Sequence, residues 1–192
     1  MNLGLIGALM AVGVTAHSLG VVAAGGDYLA DAAAIAVSLL AISISHRPNA
    51  HPRATTVAAL INGGWLLVLS VLVAAGAVVR LASRTPRVEG LPVLVVSAIA
   101  SLVMVAGAFV LGGDDDDDGN DEKGDSLNMR AVLLDTVADA AAAAGVAATG
   151  GFILATGAWF WLDPAVALLI AVVVGYHAVT LVRKVMGQLG VA

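Results

Sequence analysis

Apolar residues run almost unbroken along this chain, in long blocks separated by short polar interruptions. The blocks predict helices over about 2–16, 19–45, 54–81, 90–111, 127–156 and 164–185. A helix that crosses a bilayer needs about 20 apolar residues, and most of these blocks are long enough. The first is shorter and is read as a short first membrane segment. The interruptions have their own logic. His46 to Arg53 contains Pro48 and Pro52, which disfavour helix in themselves and in the residues before them. Ala82 to Glu89 contains Arg84, Pro86 and Arg87. At Asp163-Pro164 proline suits a first helical turn and aspartate suits the cap before it. The pattern predicts an all-α integral membrane protein with six transmembrane helices. Residues 1–185 form its transmembrane domain and 186–192 a short tail.

Composition agrees and adds an orientation. The chain is 60% hydrophobic and only 12% charged, against about 25% charged in soluble domains. Cysteine is absent, which excludes disulfides and thiolate metal ligands. Of the 14 acidic residues, eight lie between Asp114 and Asp125, so the net charge of -5 belongs to one loop and not to a folded surface. That loop, 112–126, has no apolar periodicity and is read as a solvated linker. Lys and Arg are retained on the cytoplasmic side of membrane proteins. With both termini cytoplasmic, Arg47, Arg53, Lys123, Arg130, Arg183 and Lys184 lie inside, and Arg80, Arg84 and Arg87 lie outside. Six against three sets that orientation for a multi-pass protein of the cell membrane.

Four aspartates then stand out because they fall inside apolar blocks. Asp27 and Asp31 lie in GGDYLADAAAIA, and Asp135 and Asp139 in AVLLDTVADAAAAAG. Each pair is spaced i, i+4, which places both side chains on one helical face. A carboxylate inside a membrane is costly and marks a functional site. Two such faces turned toward each other make an oxygen cage for a divalent cation. Ala and Gly runs beside the acids, such as Ala32 to Ala34 and Ala140 to Gly145, permit close helix contact. His17 and His177 each stand alone in apolar stretches and are read as structural. No nucleophile–base arrangement or phosphate loop is apparent, so no enzyme chemistry, resident cofactor or nucleic-acid partner is expected.

Four segments together resemble the cation diffusion facilitator family of divalent-metal/proton antiporters. LGVVAAGGDYLADA (19–32) and SLNMRAVLLDTVAD (126–139) are similar to the family's helix 2 and helix 5 segments, each with His or Asp followed four residues later by Asp. RATTVAALING (53–63) is similar to the start of its helix 3, and TGAWFWLDPAVALLIA (156–171) to its turn into helix 6. The resemblance implies a transmembrane domain of that family's type that exports Zn²⁺, Mn²⁺, Fe²⁺ or Co²⁺, with Asp27, Asp31, Asp135 and Asp139 as ligands and proton as the counter-ion. It further implies a homodimer in the lipid bilayer. The chain departs from many zinc exporters in carrying Asp, not His, at the first position of both motifs. Oxygen-only sites favour Mn²⁺ or Fe²⁺ relative to imidazole-containing ones. The family's cytoplasmic C-terminal domain is not present in these 192 residues. A rival reading is therefore a non-transporting subunit that pairs with a full-length relative.

Overall fold

The computed structural model describes residues 3–45, 54–83, 85–113 and 123–188. Among these residues the regular structure is six helices: α1 Leu3–Thr15, α2 Leu19–Ser45, α3 Ala54–Ala82, α4 Gly90–Gly113, α5 Lys123–Thr156 and α6 Leu162–Gln188. The helix 2–3 loop with His46 and His51, most of the acidic loop and the last residues of the tail lie outside the described residues. Most boundaries lie within a residue or two of those the sequence suggests; the larger differences are at α5 and α6, and α6 runs on to Gln188, into the stretch expected to be tail. α5 starts at Lys123, so the end of the acidic segment is already helical. α6 starts at Leu162, which puts Asp163 inside the first turn and not before it.

Five of the six helices are long and apolar enough to cross a membrane: the segments Leu19–Val37, Ala59–Ala82, Gly90–Val110, Leu133–Thr156 and Leu162–Gly187. α1 has 13 residues, and at 1.5 Å per residue it reaches only about 20 Å. That is less than the hydrocarbon core, about 30 Å thick, so α1 does not have the length of a full span. It packs on α2 and α4 through Ile6, Leu9 and Gly13. Large apolar residues such as Val71, Leu72, Leu102, Phe109 and Val172 remain exposed on the outer helix faces. In water such a surface would be an anomaly; in lipid it is the solvent-facing side.

The most extensive pairings are α4 with α5 and α3 with α6. α2 lies among them, against α1, α3 and α6, and touches α5 along a narrow seam. Lipid offers no hydrophobic force between helices, so close approach must come from small residues. At the α4–α5 crossing a Cβ on Gly150 would come within 2.6 Å of the Leu94 nitrogen, and one on Gly90 within 2.6 Å of the Gly150 carbonyl oxygen. These are backbone atoms and cannot rotate away. Gly150→Leu is therefore expected to lower stability by at least about 3 kcal/mol, the upper range for overpacking. Thermal unfolding in detergent would show it, and an unchanged midpoint would mean that the two backbones are not in contact.

The start of α2 is fixed with a full set of hydrogen bonds. Four N–H groups at a helix start have no partner inside the helix, and lipid supplies none. Here Ser18 N donates to Gly13 O at 2.9 Å. Leu19 N donates to Asp163 Oδ2 at 2.7 Å, Gly20 N to Asp163 Oδ1 at 3.2 Å, and Val21 N to Ser18 Oγ at 3.2 Å. Ser18 Oγ also donates to Asp163 Oδ1. Asp163 thus caps α2, 144 residues away in sequence from Leu19, and not its own helix as the Asp-Pro pattern suggests. Arg80 of α3 joins the cluster, 4.0 Å from Asp163 Oδ2 and donating to His17 O at 2.5 Å. His17 has φ 56°, ends α1 and serves through its carbonyl. One end of α2 is thereby tied to α3 and α6, about two and three turns before Asp27 and Asp31.

Candidate metal centre

α2 and α5 bring their acidic faces to the same seam. Asp31, Asp135 and Asp139 each offer a carboxylate oxygen, and these atoms lie within 4.8 Å of one another. Two oxygens bound to one zinc-sized ion at about 2.0–2.2 Å can be at most about 4.4 Å apart. Three oxygens around one such ion sit closer still, about 3.3–3.8 Å apart, so the cluster must contract by roughly 1 Å to hold it, which side-chain rotation can supply. Asp27 is not part of this threefold group. It lines the same cavity one helical turn away, on the side nearer the Asp163 end. Of the four aspartates singled out in the sequence, three converge and the fourth shares their cavity.

That cavity lies between α2, α3, α5 and α6, and its walls are otherwise largely apolar or alanine, including Leu66, Ala138, Leu169 and Val173. Apolar walls lower the local dielectric, which strengthens the attraction between carboxylates and a cation. They also raise the cost of leaving three like charges together with no counter-ion. Asp135 is exposed, while Asp31 and Asp139 are half-buried. Toward the Asp163 end the interior closes: Ser18, Val21 and Val146 are fully buried. Among the described residues, then, the aspartates are not reached from the Asp163 end.

Two hydroxyls steady the aspartate-bearing turn of α5. Tyr28 of α2 donates to the Asp139 backbone carbonyl at 3.2 Å, and Ser101 of α4 donates to the Ala140 carbonyl at 3.0 Å. Consecutive carbonyls are thus gripped from both sides. Tyr28 is only 4% exposed, so its hydroxyl is not satisfied by bulk water. Sequence reasoning passed over both residues. The one available signal was a tyrosine lodged between two acids in an otherwise small-residue stretch. Hydrogen bonds between membrane helices contribute about 0.6 kcal/mol on average, with a maximum near about 1.7. Tyr28→Phe should cost within that range in thermal stability and weaken metal affinity by a few-fold. Titration of the purified variant with Co²⁺ checks this, and an unaltered affinity would show that the turn needs no such support.

The chain is similar to known proteins over nearly all its length. The profile of the cation efflux transmembrane domain matches residues 1–189. The zinc transporter ZitB of Pectobacterium atrosepticum is 33% identical over 183 residues, covering 92% of this chain and 54% of that protein. ZitB of Escherichia coli is 31% identical over 184 residues, covering 92% of this chain and 56% of that protein. A cadmium, cobalt and zinc/H(+)-K(+) antiporter of Bacillus velezensis is 28% identical over 174 residues, covering 86% and 53%. The chain spans about half the length of the curated relatives it matches.

Proposed function

The chain belongs to the cation efflux transmembrane-domain family, and from that premise we propose that it carries divalent transition-metal cations out of the cytoplasm in exchange for protons. The observation that carries this reading is the convergence of Asp31, Asp135 and Asp139 from two membrane-spanning helices onto one ion-sized space. Asp27 serves as a fourth carboxylate one turn further along. No resident cofactor takes part: the metal is cargo. The relatives named for zinc, cadmium and cobalt support a transition-metal substrate class.

Direction and coupling follow from the charges. The Lys and Arg balance supports both termini in the cytoplasm, an orientation in which the cavity faces inward and the Asp163 end faces out. A dication entering from the cytoplasm displaces protons held among the clustered carboxylates. Release on the outer side lets protons return, and their inward passage drives the metal outward. Alternating access requires a second packing of the helices, closed where this one is open. The narrow α2–α5 seam supports such a change, since few contacts must be remade there. The protein works as a homodimer, as the resemblance implies.

An oxygen-rich site accepts Mn²⁺ and Fe²⁺ more readily than an imidazole-rich one and still binds Zn²⁺ and Co²⁺. The test is flux into inside-out vesicles containing the purified full chain. Zn²⁺ or Co²⁺ should accumulate when the vesicle interior is made acidic, and Mn²⁺ should compete. Collapsing the proton gradient with an ionophore should stop accumulation. Uptake that persists at full rate after collapse removes the proton exchange, and Zn²⁺ transport with no inhibition by excess Mn²⁺ removes the broad selectivity.

A further inference from the structure

His177 lies within the membrane-spanning part of α6, and its side chain lines the cavity that holds the aspartates. In the sequence it is a lone imidazole among apolar residues, which points to a structural role. The fold points elsewhere. Among the described residues His177 has no hydrogen-bond partner, and its ring contact is with adjacent Tyr176, 6.0 Å between centroids and tilted. An imidazole in a membrane span that faces a cavity of carboxylates, with no structural partner, is a candidate for ion contact. Among the cavity's lining residues it is the one nitrogen-bearing side chain.

Its depth fits as well. α2 and α6 set out from the same end of the bundle, where Asp163 binds the first N–H groups of α2. Counting at 1.5 Å per residue, Asp31 lies about 18 Å from that end and His177 about 21 Å. The imidazole is level with the carboxylate layer and slightly further from the Asp163 end.

We propose that His177 is a nitrogen ligand for the ion in this cavity and that it sets metal preference. The inference rests on the carboxylate site described above. Three carboxylate oxygens plus one imidazole nitrogen make a four-coordinate set, the number zinc prefers. Nitrogen ligation raises affinity for Zn²⁺ and Co²⁺ relative to Mn²⁺. The imidazole therefore restores the selectivity that the two motifs, with Asp at both first positions, would otherwise lack. In this structure the mutually close ligand atoms are those of Asp31, Asp135 and Asp139, and the exposed His177 side chain must turn toward them to join the ion they hold.

Pulsed electron paramagnetic resonance of tag-free, full-length protein carrying one equivalent of Mn²⁺ tests this directly. The wild type should show modulation from a directly bound nitrogen-14. His177→Ala should lose that modulation while still binding Mn²⁺, and His17→Ala should keep it. In competition titrations, the Zn²⁺ over Mn²⁺ preference of His177→Ala and His177→Gln should fall by at least about tenfold, the lower end of losses seen when only an indirect partner of a metal ligand is removed. Mn²⁺ bound in an Asp135-dependent way with no nitrogen modulation in the wild type would overturn the ligand and leave the carboxylate site standing. Modulation that survives in His177→Ala would do the same. If Mn²⁺ binding were insensitive to Asp135→Ala, the carboxylate site itself would fall, and this ligand with it. The wild-type spectrum decides the central point, so a misfolded variant does not obscure the result.

Discussion

Asp135→Ala is expected to reduce metal flux through the reconstituted protein by more than about 100-fold, beyond the range for losing an indirect partner of a ligand. Asp135 sits on the exposed rim of the cluster, and Asp31 and Asp139 lie beside it, half-buried. Removing any one of the three leaves two converging carboxylates, a poor replacement for the hydration shell of a dication even with Asp27 and His177 in the same cavity. Asp31→Ala and Asp139→Ala should therefore match Asp135→Ala. Asp27→Ala should be milder, because Asp27 lines the cavity but stands outside the threefold group. Stability should move in the other direction. Three acids held together in a cavity with apolar walls repel one another, so removing one relieves strain that function requires. Thermal unfolding of the metal-free Asp135→Ala protein should occur at the same temperature as wild type or higher. Lost flux with a clearly lowered midpoint would mean that Asp135 supports the fold and not the ion.

Asp163→Ala has the second large effect, and it falls on stability. Asp163 is 1% exposed and accepts from Leu19 N, Gly20 N and Ser18 Oγ. Removing the carboxylate leaves three donors without it, two of them buried and that of Leu19 half-buried. A single buried unsatisfied donor costs about 1–3 kcal/mol, so the loss should be at least about 2 kcal/mol in total. Arg80, 4.0 Å from the carboxylate, would also lose its counter-charge. Asp163→Asn keeps one carbonyl acceptor and should lose clearly less. Arg80→Ala should be milder still, since the hydrogen bonds to α2 persist without it. A frayed α2 start would let Asp27 and Asp31 shift relative to α5, so metal affinity should weaken along with the unfolding midpoint. Thermal unfolding and Co²⁺ titration of the same samples measure both. A stable Asp163→Ala protein with normal affinity would show that the cap does not position the site.

Much of this was legible along the chain because it is local. The apolar runs are long, so five spans could be read directly, and α1 was visibly shorter than the rest. The i, i+4 spacing of each acidic pair fixes a shared helical face before any tertiary contact is known. What escaped depends on how helices rotate and tilt against one another. Nothing local tells that Asp31 turns into the α5 cluster while Asp27 stays one turn off. The Asp163-Pro164 pair carries a complete local explanation as a helix start, and that explanation concealed a cap on a helix 144 residues earlier. Tyr28 and Ser101 look ordinary until the carbonyls of Asp139 and Ala140 are placed beside them. His177 could be assigned a wall only once α6 was set against α2.

The most direct measurement is an anomalous-scattering map of crystals of the full chain with Co²⁺ or Zn²⁺ bound. A single peak between α2 and α5, about 2.0–2.2 Å from oxygens of Asp31, Asp135 and Asp139, is the required result. A protein that transports metal yet shows its ion elsewhere, with those three carboxylates turned away from one another, would contradict it.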